Sequence, residues 1–292
     1  MASGTATNRT NVDLPVQLSA QIIQKAKEQS AIMSLAKEIA LPGSGVAINV
    51  ITSDPEAAWV GETAAKPVAN PGLATKIMRP YKLAVIVPFS NEFKRDLPSL
   101  YNALVERLPG ALAKKFDLTV FGNGSKPGDD FDNFASITAQ SLASDVYQGL
   151  VAADTDVALH GGIINGYAIS PQMRGVLLGA TDTSKRPLFN NNTADGAVPY
   201  ILGAPTKIAK GAFKSGNPSV IGVAGDWTQA MFGTVEGVKV DFSSDATLDL
   251  GGGNVINLFQ QNMFAVRAEI EVGFRADTSV FNAFTHNNVP SV

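Results

Sequence analysis

Few side chains in this sequence could support chemistry, and their spacing does not favour it. His160 and His286 are its two histidines. They lie far apart, and neither has a second metal ligand at helical spacing, so each reads as structural rather than as a base or ligand. Asp129, Asp130 and Asp132 stand close together and could hold a hard cation through carboxylate oxygens. The calcium-loop pattern, with its central glycine and terminal glutamate, is absent, so a solvated acidic loop is the favoured reading. Gly122-Asn123-Gly124 up to Gly128 resembles a phosphate cradle on the surface. Such cradles follow a strand and open a helix. This one closes a helical pattern and reads as a turn. No Gly-x-Ser-x-Gly elbow occurs, and Gly43-Ser44-Gly45 is a turn. Nothing in the sequence pairs two carboxylates. The chain therefore offers no constellation for catalysis, no metal set and no cofactor site. With no cysteine, it also has no thiol chemistry or disulfides.

The elements around these residues are legible from periodicity. Residues 1–14 are rich in Thr, Asn, Ser and Gly and read as an arm with too little apolar surface to order itself. From Pro15 to Leu41 the apolar residues Leu18, Ile22, Ala26, Ile32, Leu35, Ala36 and Ile39 suggest a helix interrupted near Ser30. Val46, Ile48 and Val50 alternate, and a second run spans Tyr81 to Val87. With the Pro/Gly-rich stretch between them, they read as a long hairpin whose middle projects from the body. Leu97, Tyr101, Leu104, Leu108, Leu112, Phe116 and Val120 mark the strongest helix, with Asp96 as N-cap and Pro98 in the first turn. Pro109-Gly110 in its middle predicts a kink or a break. Helices are expected over Ser141–Leu159 and Pro171–Ala180. Strands are expected at 201–202, 220–223 and 235–240, and a turn at Gly251-Gly252-Gly253. Residues 264–274 alternate most clearly. Phe264, Val266, Ala268, Ile270, Val272 and Phe274 form one face, expected to lie on the 97–121 helix, and Arg267, Glu269, Glu271 and Arg275 form the other.

Composition sets the outer limits. A chain of 292 residues makes one large domain or two modest ones, and 45% hydrophobic residues supply a sizeable core. Charged residues are 17%, below the usual quarter. A subunit that hides surface against neighbours has this property, and so does a compact enzyme with an uncharged polar surface. A net charge of −3 argues against gripping nucleic acid through many phosphates, but not against a container wall facing packed DNA. Met1–Leu14 carries no signal peptide, and the apolar run Leu83–Phe89 is too short to span a bilayer. The expectation is a soluble protein, made in a cytoplasm, with no membrane partner.

In order and spacing, these segments resemble the major capsid proteins of tailed phages with the Hong Kong 97-type fold, from about Leu14 to Phe284. Residues 21–40 resemble the family's N-terminal helix. Ala58-Trp59-Val60-Gly61-Glu62 followed by Lys66-Pro67 resembles its extended E-loop. Lys82-Leu83-Ala84 through Val87-Pro88-Phe89-Ser90-Asn91-Glu92 resembles the return strand, and Leu97–Phe121 with Asn123-Gly124 the spine helix and its exit. Gly166–Pro171, Leu188-Phe189 and Leu202–Pro205 resemble the axial domain. Val266–Phe274 and Phe281–Phe284 resemble the last peripheral-domain strand. The family keeps good helix formers where this chain has Pro109-Gly110.

The resemblance implies an α+β fold. Residues 1–42 would form the N-terminal arm and helix, and 43–85 the E-loop hairpin. Residues 86–140 and 258–292 would form the peripheral domain, and 141–257 the axial domain. It implies a non-enzymatic shell subunit, assembled as pentamers and hexamers around double-stranded DNA without sequence-specific binding, and resident in the virion. A portal, a decoration protein and, because no long helical segment precedes the arm, a separate scaffolding protein would be further partners. Lys66, Lys76, Arg79, Arg267, Glu269, Glu271 and Arg275 are candidate interface charges that set register; the alternative is that they are ordinary surface residues. Some relatives crosslink an E-loop lysine to a peripheral-domain asparagine. Lys66 lies about where that lysine would be, but no asparagine or assisting glutamate matches, and a solvated or ion-paired Lys66 is favoured. The competing readings are an encapsulin-like compartment of the same fold, a soluble α/β enzyme and a tail or baseplate protein.

Overall fold

Ser30 stops the N-terminal helix because its hydroxyl is committed elsewhere. The computed structural model describes residues 24–53, 59–60, 68, 72–92, 97–182, 184–189, 198–235 and 238–287. Residues 24–29 are helical, and the short helix α1 (Ala31–Leu35) begins after Ser30, which caps it by accepting from the Met33 amide at 3.1 Å. The expected interruption at Ser30 is present. The helix expected to continue to Leu41 is not, because Lys37–Ala40 is a strand, β1, paired in parallel with a later strand. Ala36 and Ile39 share a helical spacing by coincidence, and pairing with the sheet decides the backbone.

The hairpin is built differently from expectation. Strand β2 (Val46–Ser53) pairs antiparallel with β3 (Gly72–Met78), in the register Val46↔Met78 and Ile48↔Lys76. The run after Arg79-Pro80 is strand β4 (Tyr81–Ser90), which leaves the hairpin and joins the body. Alternation identified three β-runs but could not say which two pair. The arm 1–14, most of the hairpin's middle and the proposed cap Asp96 lie outside the described residues.

Helix α2 (Leu97–Val120) runs unbroken through Pro109, so of the expected kink or break the break does not occur. An interior proline costs about 3 kcal/mol. Here Pro109 is buried together with Leu108 and Leu112, and packing offsets that cost. Gly110 has a use in the same place. A Cβ there would lie 3.0 Å from Oε1 of Gln29, so the bare backbone admits the 24–29 helix. The helix ends as expected. Gly122 takes φ 78°, the Asn123 amide reaches back to the Leu118 carbonyl at 2.8 Å, and a side chain on Gly122 would collide with Ala135.

The rest divides between two sheets. Strand β5 (Thr138–Ser141) occupies the start of the helix expected from Ser141. That helix, α3 (Val146–Leu159), begins only after Asp145, whose carboxylate caps Gln148. Next come β6 (Gly166–Ile169), α4 (Pro171–Gly179) capped by Ser170, β7 (Tyr200–Ile201), β8 (Ala204–Ile208) and β9 (Ser219–Gly225). The expected strand over 235–240 falls largely between two strands, β10 (Ala230–Thr234) and β11 (Lys239–Ser243), and overlaps only the start of the second. A hairpin of β12 (Thr247–Asp249) and β13 (Val255–Asn257) turns at the three glycines 251–253. The chain closes with β14 (Met263–Ala276) and β15 (Phe281–His286). One sheet has the order β5-β15-β9-β6-β8-β7. The other is organised on β14, which takes β4 along one edge and β10 and β11 along the other.

The alternating face of β14 is buried as expected. Phe264, Val266, Ala268 and Ile270 pack with Leu108 and Leu112 of α2, and Phe116 meets Phe274 edge to face at 6.2 Å. Phe274 also touches Phe131 and Phe134, and Phe134 reaches Phe281 at 4.7 Å, so one aromatic cluster ties the two sheets together. Replacing Phe274 with Ala should destabilise the fold by about 3–5 kcal/mol, read by denaturant unfolding.

Asp117 joins the N-terminal segment to α2 from inside the core. It is 5% exposed, accepts from the Ser30 hydroxyl at 2.5 Å and the Ala31 amide at 3.0 Å, and so holds the start of α1. Burial pushes its carboxyl up to about 6, against the opposing pull of the Ser30, Ala31 and Ile32 donors. A carboxyl raised on folding gives stability that is complete below its unfolded value near 3.8 and is lost as pH rises through about 6. Between pH 4 and pH 8 the parent should lose up to about 3 kcal/mol of stability. Asp117→Asn, which offers one acceptor where the carboxylate offers two, should start less stable and show none of this loss. A parent and variant with the same pH dependence would contradict this.

Candidate functional site

The residues that the sequence marked for chemistry do not converge. His160 is exposed at the end of α3, with Nδ1 2.8 Å from the Asp156 carbonyl. His286 ends β15, with Nδ1 2.6 Å from the Asn287 carbonyl. Tyr167 is buried in stacked contact with Phe284, and burial, then the charge of Asp154, pushes its phenol above the ordinary range. Gly122–Gly124 is a helix terminus, and the Asn123 amide donates to the carbonyls of Gly211 and Phe213 at 2.6 and 2.8 Å, tying two loops together. Among the described residues, no group of three or more acidic or histidine side chains could hold a metal, and no helix is long and apolar enough to cross a membrane.

The three aspartates do converge on something, but it is a set of cations of this chain. Asp129 is fully exposed and paired with Lys126 at 3.6 Å. Asp130 and Asp132 are partly buried, which corrects the reading of a solvated acidic loop. Arg275, with a side chain only 12% exposed, donates to Asp130 at 2.8 Å and to Asp132 at 3.0 Å. Its Nε donates to the Ile77 carbonyl at 2.7 Å. Arg79 meets Asp130 at 3.1 Å, and Lys76 stands 3.9 Å from Asp132 while donating to the Ala276 carbonyl at 3.0 Å. The other Asp132 oxygen accepts the Ala276 amide at 3.1 Å.

Each element has a reason to be there. Arg275 lies on the polar face of β14, one residue past Phe274, whose burial sets its position. Lys76 and Arg79 leave the base of the hairpin. The acidic loop is held beneath by Phe131 and Phe134, both in the aromatic cluster. A planar guanidinium presents its five donors in a fixed fork to two carboxylates and a carbonyl at once, whereas lysine is a compact point charge on a flexible stem. The base of the hairpin is thus fixed to the body by a charge cluster. On its other side, Gly273 brings β14 close enough that a Cβ would lie 2.8 Å from the Arg79 carbonyl.

The remaining candidate charges also find partners within the chain. Arg267 bonds Asp241 at 2.7 Å and lies 3.3 Å from Glu269, and Lys82 lies 3.5 Å from Glu271. Lys66 lies outside the described residues. Sequence reading missed the clamp because its members are spread from Lys76 to Arg275, and no local pattern announces that an acidic loop and a hairpin base will meet. The one available signal was charge balance: three aspartates against Lys76, Arg79 and Arg275.

Known proteins give the arrangement its context. The sequence profile of the phage capsid family matches residues 11–284. The "Probable major capsid protein gp17" of Mycobacterium phage D29 is 26% identical over 280 residues, covering 90% of this chain and 86% of that protein. The "Major capsid protein" of Staphylococcus phage 80alpha is 25% identical over 286 residues, covering 91% and 82%. Among solved structures, a chain from Microbacterium phage Oxtober96 superposes with a TM-score of 0.71 at 20% identity, covering 98% of this chain and 96% of that one. A chain from Gordonia phage Cozz gives 0.69 at 21% identity, covering 88% and 86%. The expected α+β fold of the Hong Kong 97 type is met. With the family profile matched along most of its length, this chain belongs to the phage capsid family.

Proposed function

We propose that this chain is the major capsid protein of a tailed phage, a non-enzymatic subunit that closes into an icosahedral shell around double-stranded DNA. The observation that carries the reading is the β2–β3 hairpin, whose base is clamped by Arg275, Asp130 and Asp132 while Trp59 and Val68 beyond its strands are exposed. A two-stranded ribbon is marginal by itself. Anchored at one end and carrying exposed apolar side chains beyond its strands, it suits a reach across a neighbouring subunit. The family match and the relatives' names support the same reading.

In this reading residues 43–80 are the E-loop, and β4, α2 and the β14 sheet are the peripheral domain. Within 141–257, α3, α4 and strands β6 to β9 form the axial domain that meets its copies in pentamers and hexamers, whereas β10 and β11 of the same range belong to the β14 sheet and β15 joins the axial sheet. Several weak interfaces per subunit become durable on ring closure. A scaffolding protein, a portal and a decoration protein are proposed partners, the virion is the proposed location, and assembly takes place in the host cytoplasm. The clamp's role is to set the hairpin's exit angle. Lys76, Arg79, Arg267, Glu269, Glu271 and Arg275 then act on register through the subunit's own shape, and direct intersubunit contact is a second role that their intrachain pairing still allows. Lys66 is assigned no crosslink.

Replacing residues 54–71 with a short Gly-Ser turn should leave a folded subunit that fails to form closed shells in negative-stain micrographs. Normal particles would rule out the E-loop assignment. Arg275→Gln leaves two partly buried carboxylates without their guanidinium. It should lower stability by about 2–3 kcal/mol and yield fewer, irregular shells under conditions where the subunit remains folded.

A further inference from the structure

Two sets of cations on this chain differ in their surroundings. Around the β14 sheet and the hairpin base, Lys76, Arg79, Lys82, Arg267 and Arg275 each lie within 4.0 Å of a carboxylate. The outward face of α2 carries the other group. Leu108, Leu112 and Phe116 are buried on the inner face, which leaves Arg107, Ala111 and Lys114 on an exposed stripe, with Arg107 and Lys114 seven residues apart and therefore on one side. Beside Lys114 the turn at Lys210–Ala212 packs closely, because a Cβ on Gly211 would come within 3.2 Å of Asp117 and the Leu118 amide. Lys114, Lys210, Phe213, Pro171 and Gln172 line an open groove of about 630 Å³. Among the described residues, neither Lys114 nor Lys210 has a carboxylate within ion-pair distance. Asp117, beside Gly211, is buried and turned to Ser30.

We infer that the groove between α2, the first turn of α4 and the Lys210 turn is a weak, sequence-independent contact site for the phosphate backbone of double-stranded DNA. The inference rests on the shell reading above and adds to it which face of the subunit is turned to the packaged genome. Charge complementarity selects the occupant. Two lysines without carboxylate partners, with Arg107 along the same helix face, present cations on flexible stems, which suit diffuse phosphate contact rather than base reading. A protein partner would need an aromatic or aliphatic anchor at the centre of the patch, and Phe213 and Pro171 alone supply little. The near-neutral chain as a whole keeps the contact weak, which suits a container that must release its contents.

The test compares the unassembled full-length subunit with K114Q/K210Q and with K185Q/K239Q, which removes equal charge elsewhere. Binding to a short random-sequence duplex is read by fluorescence anisotropy across a salt series. The groove variant should lose roughly tenfold in affinity at low salt, and its log–log salt slope should fall by about 2, one unit for each lost phosphate contact. The control should follow the parent. Equal binding by the groove variant and the parent, or equal losses in both variants, would overturn the inference. So would a parent that ignores DNA but binds a polyglutamate peptide through these lysines, since that assigns the groove to an acidic protein. Negative-stain imaging of the parent's assemblies tests the shell reading separately. Absent shells count against that reading whatever the DNA titration gives.

Discussion

Burial of one face of β14 on the inner face of α2 is the constraint on which the rest of the subunit depends. The strand holds three others by hydrogen bonds, β4 on one edge and β10 and β11 on the other. Its apolar face fixes the height of α2, and Phe274 at its end enters the aromatic cluster that joins both sheets. Because side chains alternate along a strand, burying Phe274 forces Arg275 to the opposite side. The hydrophobic face thus positions the charge that anchors the hairpin.

That coupling explains the division of labour among the charges. A partly buried guanidinium held by two carboxylates is costly to break, because each partner left alone keeps its desolvation penalty. Such a cluster is suited to fixing geometry, and here it fixes the root of an element that reaches outward. Among the described residues, Lys114 on the outer face of α2 is exposed and has no such partner. It suits contacts that form and dissolve. Asp117 is the exception inside the core: a carboxylate buried to hold α1 on α2, with its acid form favoured by the surroundings.

Much of this was legible in the sequence where one element decides its own state. The 264–274 alternation, the 97–121 helix with its glycine terminus, the interruption at Ser30 and the helix from Pro171 are local patterns, and the structure follows them. The misreadings occur where a second element intervenes. Pro109-Gly110 has the signature of a break, yet Leu97–Val120 runs as one helix with Pro109 buried beside Leu108 and Leu112. Lys37–Ala40 fits a helical spacing and becomes a strand because β10 offers an edge. The run Tyr81–Val87 reads as the second hairpin strand and instead belongs to β4, paired with β14, because alternation says nothing about partners.

The sequence by itself determined that this chain carries one strongly amphipathic strand for one strongly amphipathic helix, and that its segments follow the order of the phage capsid family. These are matters of residue type, period and order, all carried by neighbours in the chain. Only the tertiary structure decided that Asp130 and Asp132 serve Arg275, Arg79 and Lys76, that the hairpin closes on residues 72–78, and that Lys114 and Lys210 share a groove. Those contacts join residues tens to hundreds of positions apart. They form because burying apolar faces brings the elements that bear them together, and that outcome is not written in any one segment.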